Sequence, residues 1–323
     1  MAYSIKYIEN CPEEMTDISP LYNQDLLNGE RVILVCGKET ANRYISHEIR
    51  MINSPADAAS TDAPLMMLCV GGNIAMAAIE CAYALYAGRC QVYGEYDGLY
   101  TTNPLESQQA RRIEKIDYDE VIEVSTVDYN KVDASMVEIA KKRGIAIHIL
   151  SYSRPQGQGT VIKEVLSLGT SVVKGVMKEP EICIVSLMDI PDVPGAAYRI
   201  FQIVSDAGVV VDMISLPASD YGSQDISFTI NKEDKHIVKK ILEEKQEDLG
   251  FSKMILKDNV AKISVVGSGV QGSKGVAASV FKILYENDIN LRLISTSEIK
   301  ISVIVDKSKA DLAVHKIHEV FIK

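Results

Sequence analysis

The sequence predicts a parallel α/β domain followed by two copies of a smaller α+β domain. Three observations lead to this prediction. Strands alternate with helices in the first half, one segment of the second half repeats at equal spacing, and the composition is that of a globular chain. Of the 323 residues, 47% are hydrophobic and 24% are charged, which allows an ample core. The length favours two or three domains.

Composition and charge also exclude several kinds of partner. The net charge is −10, and without a concentrated basic surface we expect no nucleic-acid partner. No segment reaches the roughly 18 uncharged apolar residues of a membrane span, and the N-terminus does not resemble a secretory signal. The six cysteines have no C-x-x-C spacing. We therefore expect a cytoplasmic protein with buried thiols, without a metal site or a membrane partner.

Strand and helix patterns alternate from residue 61 to residue 168. The apolar run Pro64 to Gly72 predicts a strand that ends in two glycines, and Asn73 to Gly88 predicts an alanine-rich helix. A strand with a turn-rich loop follows at 89–104, and two helices and a strand follow within 116–150. This alternation is typical of a parallel sheet with helices on both faces.

Residues 1–60 carry fewer signals and are left unassigned. Within them, Val32 to Thr40 predicts a strand and a turn that contains Gly37 and Lys38. A Walker phosphate loop would need another glycine five residues before Gly37, and none is there. We therefore expect Lys38 to be a solvated side chain.

The second half contains an internal duplication. The segment from Ile182 to Ser215 matches the segment from Lys262 to Ser295, with a glycine, a phenylalanine and a serine at the same spacing in each. Both copies predict the order β-α-β-β-α, with Gly195 or Gly275 opening the first helix. That order suits an antiparallel sheet covered by helices on one face. We assign residues 170–250 to the first copy and residues 255–323 to the second.

The motifs of these two copies resemble the paired ACT modules of aspartokinases. They include IPDVPGAAYRIF, VVVDMIS, VVGSGVQGSKGVA and ISTSEIKISV. The resemblance implies two α+β ferredoxin-like ACT domains that bind an amino-acid effector of the lysine or threonine class. The open edge of each small sheet favours side-by-side pairing, and a homodimer through the ACT domains is expected.

The resemblance also implies which residues contact the effector. The first module would supply Asp192, Gly195, Ala196 and Asp212, and the second module would face them with Thr296, Ser297 and Glu298.

Two residues depart from the family pattern in the first module. Val210 replaces the usual asparagine and Leu216 the usual glutamine. Each change removes an amide, and a polar ligand loses roughly 1–3 kcal/mol for each missing bond.

The first half resembles part of the amino-acid-kinase domain of aspartokinases, which implies a truncated domain of that fold. The segment YDGLYTTNP, from Tyr96 to Pro104, is similar to the family's nucleotide-binding stretch. Glycines after a strand let backbone N–H groups approach a phosphate. The residues that would remain of a nucleotide site are Gly71, Gly72, Asp97, Tyr100 and Lys131.

The motifs that carry catalysis in the family are altered in this chain. The family's Gly-Arg-Gly-Gly-Ser-Asp motif has become Cys69-Val70-Gly71-Gly72-Asn73-Ile74. Nothing before residue 60 matches the Lys-Phe-Gly-Gly-Thr-Ser motif that supplies the phosphate-binding lysine. Phosphoryl transfer depends on positioned charges. On this basis the sequence predicts no intact catalytic set.

Three functions remain open at this stage. The first is a regulatory relative of aspartokinases that senses an amino acid, acting alone or with an active aspartokinase subunit. The second is an active aspartate kinase that forms 4-phospho-L-aspartate, and only this function requires ATP and magnesium. The third is a small-molecule-binding protein outside that pathway. Whether the chain is an enzyme is therefore undecided from sequence.

Overall fold

The structure is a computed structural model of the chain. It describes residues 2–8, 11–165, 172–217, 222–270 and 273–322. The chain divides into two compact units, Met1–Gly175 and Val176–Lys323.

The strands of the first unit form one sheet. Its members are β1 (Tyr3–Ile8), β2 (Arg31–Cys36), β3 (Arg50–Ile52), β4 (Leu65–Cys69), β5 (Arg89–Gly94), β6 (Lys115–Ile116), β7 (Ala146–Ser151) and β8 (Thr160–Ile162). They lie in the order β3-β4-β2-β1-β5-β7-β8-β6. Neighbouring strands are parallel except β7 and β8, which are antiparallel. The predicted parallel α/β fold is confirmed.

Helices connect these strands. They are α1 (Asn23–Leu27), α2 (Lys38–Tyr44), α3 (Pro55–Ala59), α4 (Ile74–Ala84), α5 (Tyr118–Val124) and α6 (Ala134–Arg143). The Asn73 side chain accepts a hydrogen bond from the backbone N–H of Met76 and caps α4, which stabilises the helix start after the strand.

Residues 1–60 supply three strands of this same sheet, including β1 and β2 at its centre. The predicted strand at Val32 is β2, which is buried along its whole length. The expected turn after it is the start of α2, and Lys38 is exposed there.

The centre of this sheet contains a buried lysine. Lys6 on β1 is 1% exposed, and its ammonium group contacts the Asp25 carboxylate and the Gln91 side-chain oxygen. The Tyr93 hydroxyl lies 3.4 Å from the same nitrogen, and Ser4 Oγ donates to Asp25 at 3.0 Å. Burial lowers the pKa of Lys6 even though Asp25 opposes the shift.

The second unit contains the remaining elements. They are β9 (Gly175–Pro191), α7 (Ala196–Asp206), β10 (Ile214–Ser215), β11 (Ser223–Asn231), α8 (Lys235–Glu244), α9 (Gln246–Leu249), β12 (Lys253–Val266), α10 (Val276–Glu286), β13 (Leu293–Thr296), β14 (Lys300–Asp306) and α11 (Ala310–Phe321). We call the part from β9 to α9 the first module and the part from β12 to α11 the second module. Each has the predicted order β-α-β-β-α.

The two modules share one six-stranded sheet in the order β10-β11-β9-β12-β14-β13. Ser252, just before β12, donates its N–H to Met188 O near the end of β9 at 2.9 Å. Further along β12, Lys262 pairs with Glu179 near the start of β9 at 2.9 Å. The two central strands therefore run in opposite directions, and their carboxyl ends lie at opposite ends of the sheet.

Alternation along β9 gives the sheet an apolar surface on both faces. Cys183, Val185 and Leu187 pack against α7 and α8, which makes the core of the first module. The alternate residues Ile182 and Ile184 form a second cluster on the other face together with residues of both modules, namely Met213, Val260 and Ile304. This second cluster joins the modules in one body.

Among the helices that the structure describes, none is long and apolar enough to span a membrane.

Candidate functional site

A cleft of about 490 Å³ lies beside the start of α10 in the second module. We call it the second-module cleft. It is lined by Val270, Ser273, Lys274, Gly275, Ala277, Thr296, Ser297, Glu298 and Ile301. Its volume is within the range of roughly 300–1,000 Å³ that small-molecule sites occupy.

The fold brings the two walls of this cleft together by strand register. Thr296 lies opposite Ile301 across the β13–β14 pair, and Ile301 lies opposite Val265 at the end of β12. Gly275 has a φ of +96° directly before α10, and few other residues adopt that conformation without strain. The glycine turns the chain from the end of β12 into the helix, so the helix start meets the β13–β14 turn.

The second-module cleft contains both signs of charge and an apolar floor. Lys274 lies on the loop before α10 and Glu298 in the β13–β14 turn, and both are exposed. Val270 and Ile301 are 5% and 3% exposed and form the floor. The first N–H groups of α10 add partial positive charge next to Lys274. A zwitterion with an aliphatic part fits such a site.

In the first module, the predicted contacts Asp192, Gly195 and Ala196 lie together at the start of α7. Gly195 has a φ of +92°, nearly the value at Gly275, so the duplication extends to backbone conformation. Asp192 is exposed and its N–H donates to Gly222 O at 3.1 Å, while Ala196 is buried.

The two sets of predicted effector residues do not face each other within the chain. Asp192 follows the end of β9, whereas Thr296 lies beside the end of β12. Because β9 and β12 run in opposite directions, these ends are on opposite sides of the sheet. Within a single chain the two sets therefore do not meet, and their predicted contact with one effector stays a prediction.

Asp212 also lies apart from the other first-module residues. Its N–H donates to Thr229 O at 3.2 Å, and Thr229 is opposite Ile184, while the α7 loop begins after Pro191. At about 3.3 Å per residue, that stretch of β9 is roughly 20 Å long. The sequence could not indicate this separation, because the spacing of residues along a chain does not give distances across a sheet.

The carboxylate of Asp212 already has a partner. Lys262 Nζ lies 2.5 Å from Asp212 Oδ2 and 2.9 Å from a Glu179 oxygen. The Lys262 side chain is 5% exposed. Burial by itself lowers the pKa of Lys262, but Glu179 and Asp212 together outweigh it and the pKa lies above its ordinary value. The Asp212 side chain is still 45% exposed, and its predicted contact with an effector stays a prediction.

In the first unit, Asp97 and Tyr100 lie in the loop after β5. The Tyr100 hydroxyl donates to Asp97, and the guanidinium groups of Arg112 and Arg154 lie 3.8 Å and 3.6 Å from the same carboxylate. Burial, followed by the hydrogen bond to Asp97, raises the pKa of Tyr100 to about 12. The negative charge of the Asp97 carboxylate is thus balanced by Arg112 and Arg154.

Gly71 and Gly72 follow β4, which is three strands away from β5 in the sheet. Neighbouring strands are about 4.8 Å apart, so the glycine pair after β4 lies roughly 14 Å across the sheet from Asp97 and Tyr100 after β5. Ile74, in the place of the family's aspartate, packs against Gly37, where an added Cβ would lie 2.9 Å from Ile74 Cδ1.

The segment that contains Lys131 connects these two groups. Asn130 Oδ1 accepts a hydrogen bond from the Tyr100 N–H at 2.7 Å, and Asn130 Nδ2 donates one to Tyr100 O at 2.8 Å. Asn73 Nδ2 donates to Ser135 Oγ at 3.0 Å. Lys131 lies between these contacts with an exposed side chain.

Lys6 is a residue that our sequence analysis missed. It is followed by Tyr7 on β1. The available signal was a lone lysine inside the apolar run YSIKYI. The Lys6 ammonium group is enclosed by Asp25 and Gln91.

Comparison with known proteins agrees with both halves of this architecture. The amino acid kinase family matches residues 38–151, and the ACT domain matches residues 185–246 and 263–321. The aspartokinase of Pseudomonas aeruginosa is 34% identical over 246 residues, which cover 75% of this chain and 60% of that protein. The aspartokinase of Thermus thermophilus is 32% identical over 246 residues, covering 76% and 60%. The chain belongs to the aspartokinase family.

The fold agrees with a solved structure of the same family. The aspartate kinase of Clostridium acetobutylicum superposes with a TM-score of 0.73 at 20% identity, covering 82% of this chain and 65% of the other. The chain spans about 60% of the length of the curated relatives that it matches.

The contacts of Lys262 predict how stability depends on pH. Lys262→Met should lower the free energy of unfolding by about 2 kcal/mol at pH 7, since it leaves Glu179 and Asp212 without their shared cation. A lysine with a raised pKa stabilises the fold fully below its unfolded pKa of about 10.4, and the contribution is lost as the pH rises through the folded value. The free energies of unfolding of the wild type and Lys262→Met, measured by urea denaturation, should therefore become more similar above about pH 10.4.

The matched control is Lys307→Met, whose ammonium pairs with Glu181 near the surface. It should lose less stability than Lys262→Met because exposed pairs contribute little. If both variants lost the same free energy of unfolding at pH 7, Lys262 would not be the stabilising buried cation described above.

Proposed function

We propose that this chain is a regulatory member of the aspartokinase family that binds an amino acid in the second-module cleft. The observation that carries the proposal is the meeting of Thr296, Ser297 and Glu298 with Lys274 at the start of α10. The first three of these were assigned to effector binding from the sequence.

The chemistry of the cleft supports an α-amino acid as the ligand. The carboxylate of a zwitterion would lie against Lys274 and the first N–H groups of α10, where the helix dipole favours a negative charge. Its ammonium group would meet Glu298. The hydroxyls of Ser273, Thr296 and Ser297 can complete the polar contacts, and the Val270 and Ile301 floor accepts aliphatic carbon. Effectors of the lysine or threonine class have this chemistry.

Contacts in the first unit support a regulatory role without catalysis. The Lys6 ammonium group lies against Asp25 and is not exposed to a nucleotide. Asp97 is paired with two arginines, and Ile74 places an apolar group at the start of α4. Phosphoryl transfer needs lysine and carboxylate groups positioned around the phosphates, and we infer from these contacts that Lys6 and Asp97 do not serve that reaction.

Association with a second chain is part of the proposal. Among the residues that the structure describes, the outer strands β10 and β13 each pair with one neighbour in the shared sheet, which leaves each an edge that can pair with another chain. Ile214 on β10 and Ile294 on β13 are half exposed. The second chain would be another copy, or an active aspartokinase subunit with ACT modules of its own.

The first prediction from this proposal concerns ligand binding. In a thermal-shift screen of the twenty amino acids at about 10 mM, one of the lysine or threonine class should raise the melting temperature by several degrees. A ligand that binds only the folded state adds about 2.7 kcal/mol at a hundredfold excess over Kd.

Glu298→Gln should weaken that binding by about tenfold or more, since a hydrogen bond to a charged group contributes roughly 1.5–3 kcal/mol. Glu286→Gln is the matched control, because Glu286 is an exposed carboxylate at the other end of α10. No shift with any amino acid, or equal effects of the two variants, would reject the site.

The second prediction concerns the kinase reaction. In a coupled assay with ATP, magnesium and L-aspartate, the purified chain should consume no more ATP than a control without protein. The aspartokinase of Pseudomonas aeruginosa serves as positive control under the same conditions. Steady turnover that is lost in Lys6→Ala or Asp97→Ala would instead establish an active aspartate kinase.

The third prediction concerns oligomeric state. The full chain should run as a dimer by light scattering at tens of micromolar, and Ile214→Lys with Ile294→Lys should shift it toward monomer because a charge on an edge strand opposes pairing. Leu27→Lys changes a similarly exposed apolar residue in the first unit and should have no effect. A wild-type monomer would refute the proposed association.

A further inference from the structure

The two modules differ most at equivalent positions around their helix starts. Aligned on Gly195 and Gly275, Val193 stands where the second module has Ser273, and Pro194 where it has Lys274. Leu216 and Pro217 likewise replace Thr296 and Ser297. Each of these four polar side chains of the second-module cleft has an apolar counterpart in the first module.

The exposure of these counterparts shows that they are not core residues. Val193 and Leu216 are 48% and 49% exposed, so packing does not require apolar side chains there. An amino acid placed among them would lose hydrogen bonds to water without gaining replacements.

The charges at the two helix starts also differ in sign. The loop before α7 carries Asp192, whose carboxylate is exposed, whereas the loop before α10 carries Lys274. An anion near a helix start is favoured by the dipole, but in the first module Asp192 would repel a ligand carboxylate. In the second module Lys274 would attract one.

The remaining acidic group predicted for the first module is occupied. Asp212 is held by Lys262, which it shares with Glu179. A ligand ammonium group at Asp212 would have to compete with the Lys262 ammonium group, which lies between Asp212 and Glu179. The first module therefore offers a zwitterion neither a favourable helix start nor a free carboxylate at Asp212.

We infer that each chain binds a single amino acid, in the second module, and that Lys274 together with the Ser273 and Thr296 hydroxyls distinguishes this module from its duplicate. The inference rests on the proposed function and makes it more specific. It assigns ligand selection to side chains that differ between the modules, while the shared glycine turn supplies only the backbone.

The test is isothermal titration calorimetry of the full chain with L-lysine and, separately, with L-threonine. The amino acid that binds should do so with a stoichiometry of one per chain. Replacing second-module residues by their first-module counterparts, in the double variant Ser273→Val with Thr296→Leu, should weaken binding by at least tenfold. The reciprocal double variant, Val193→Ser with Leu216→Thr, should keep the wild-type affinity and stoichiometry.

Each outcome has a defined consequence. A stoichiometry of two per chain, or a loss of affinity in the reciprocal variant, overturns the inference while amino-acid sensing stands. An absence of binding heat with both ligands, together with an unchanged melting temperature in all twenty amino acids, overturns the proposed function and the inference together. The substituted positions are exposed or half-buried, and melting curves without ligand establish that both double variants are folded.

Discussion

The pairing of β9 with β12 determines where the functional groups of the second unit lie. Each module alone would have an open strand edge at this position, and joining the two edges satisfies their backbone hydrogen-bonding groups. Because the strands run in opposite directions, the α7 loop and the α10 loop are placed at opposite ends of one sheet. Two binding sites in one chain could therefore not share a ligand.

The same pairing explains the buried charge between the modules. Lys262 on β12 reaches Glu179 on β9 and Asp212 of the first module. Lys6, in the other unit, is equally buried but has one carboxylate partner. The pKa of Lys6 is lowered and that of Lys262 is raised. Burial lowers the pKa of both lysines. At Lys262 two carboxylates outweigh it, whereas at Lys6 Asp25 does not and Arg89 lowers the pKa further.

The sequence was sufficient to predict the fold wherever its patterns are local or repeated. The duplication could be found because Gly195 and Gly275 must both adopt a positive φ, so equal spacing reflects equal backbone geometry. Thr296, Ser297 and Glu298 at the second-module cleft were named from the resemblance of ISTSEIKISV to ACT modules, whereas Ser273 and Lys274, which line the same cleft, were not predicted. Lys6 could not be predicted, because a lysine inside a central strand contradicts the apolar pattern used to recognise strands. The partner of Asp212 is fifty residues away in the chain, and no local pattern indicates such a contact.

The proposed contrast, between a second half that binds an amino acid and a first half without catalysis, follows from what each chemistry requires. Phosphoryl transfer needs several charges at fixed positions around one phosphate, so the loss of a few of them removes most of the rate. Binding a zwitterion needs a helix start, one cation and one anion, which a single module can supply. After duplication, selection for effector binding can act on one module alone, and the other is free to lose its polar groups while it still stabilises the shared sheet. This division of roles would leave apolar residues such as Val193 and Leu216 beside the glycine turn that both modules share at Gly195 and Gly275. The backbone geometry serves the fold, and only the side chains serve the ligand.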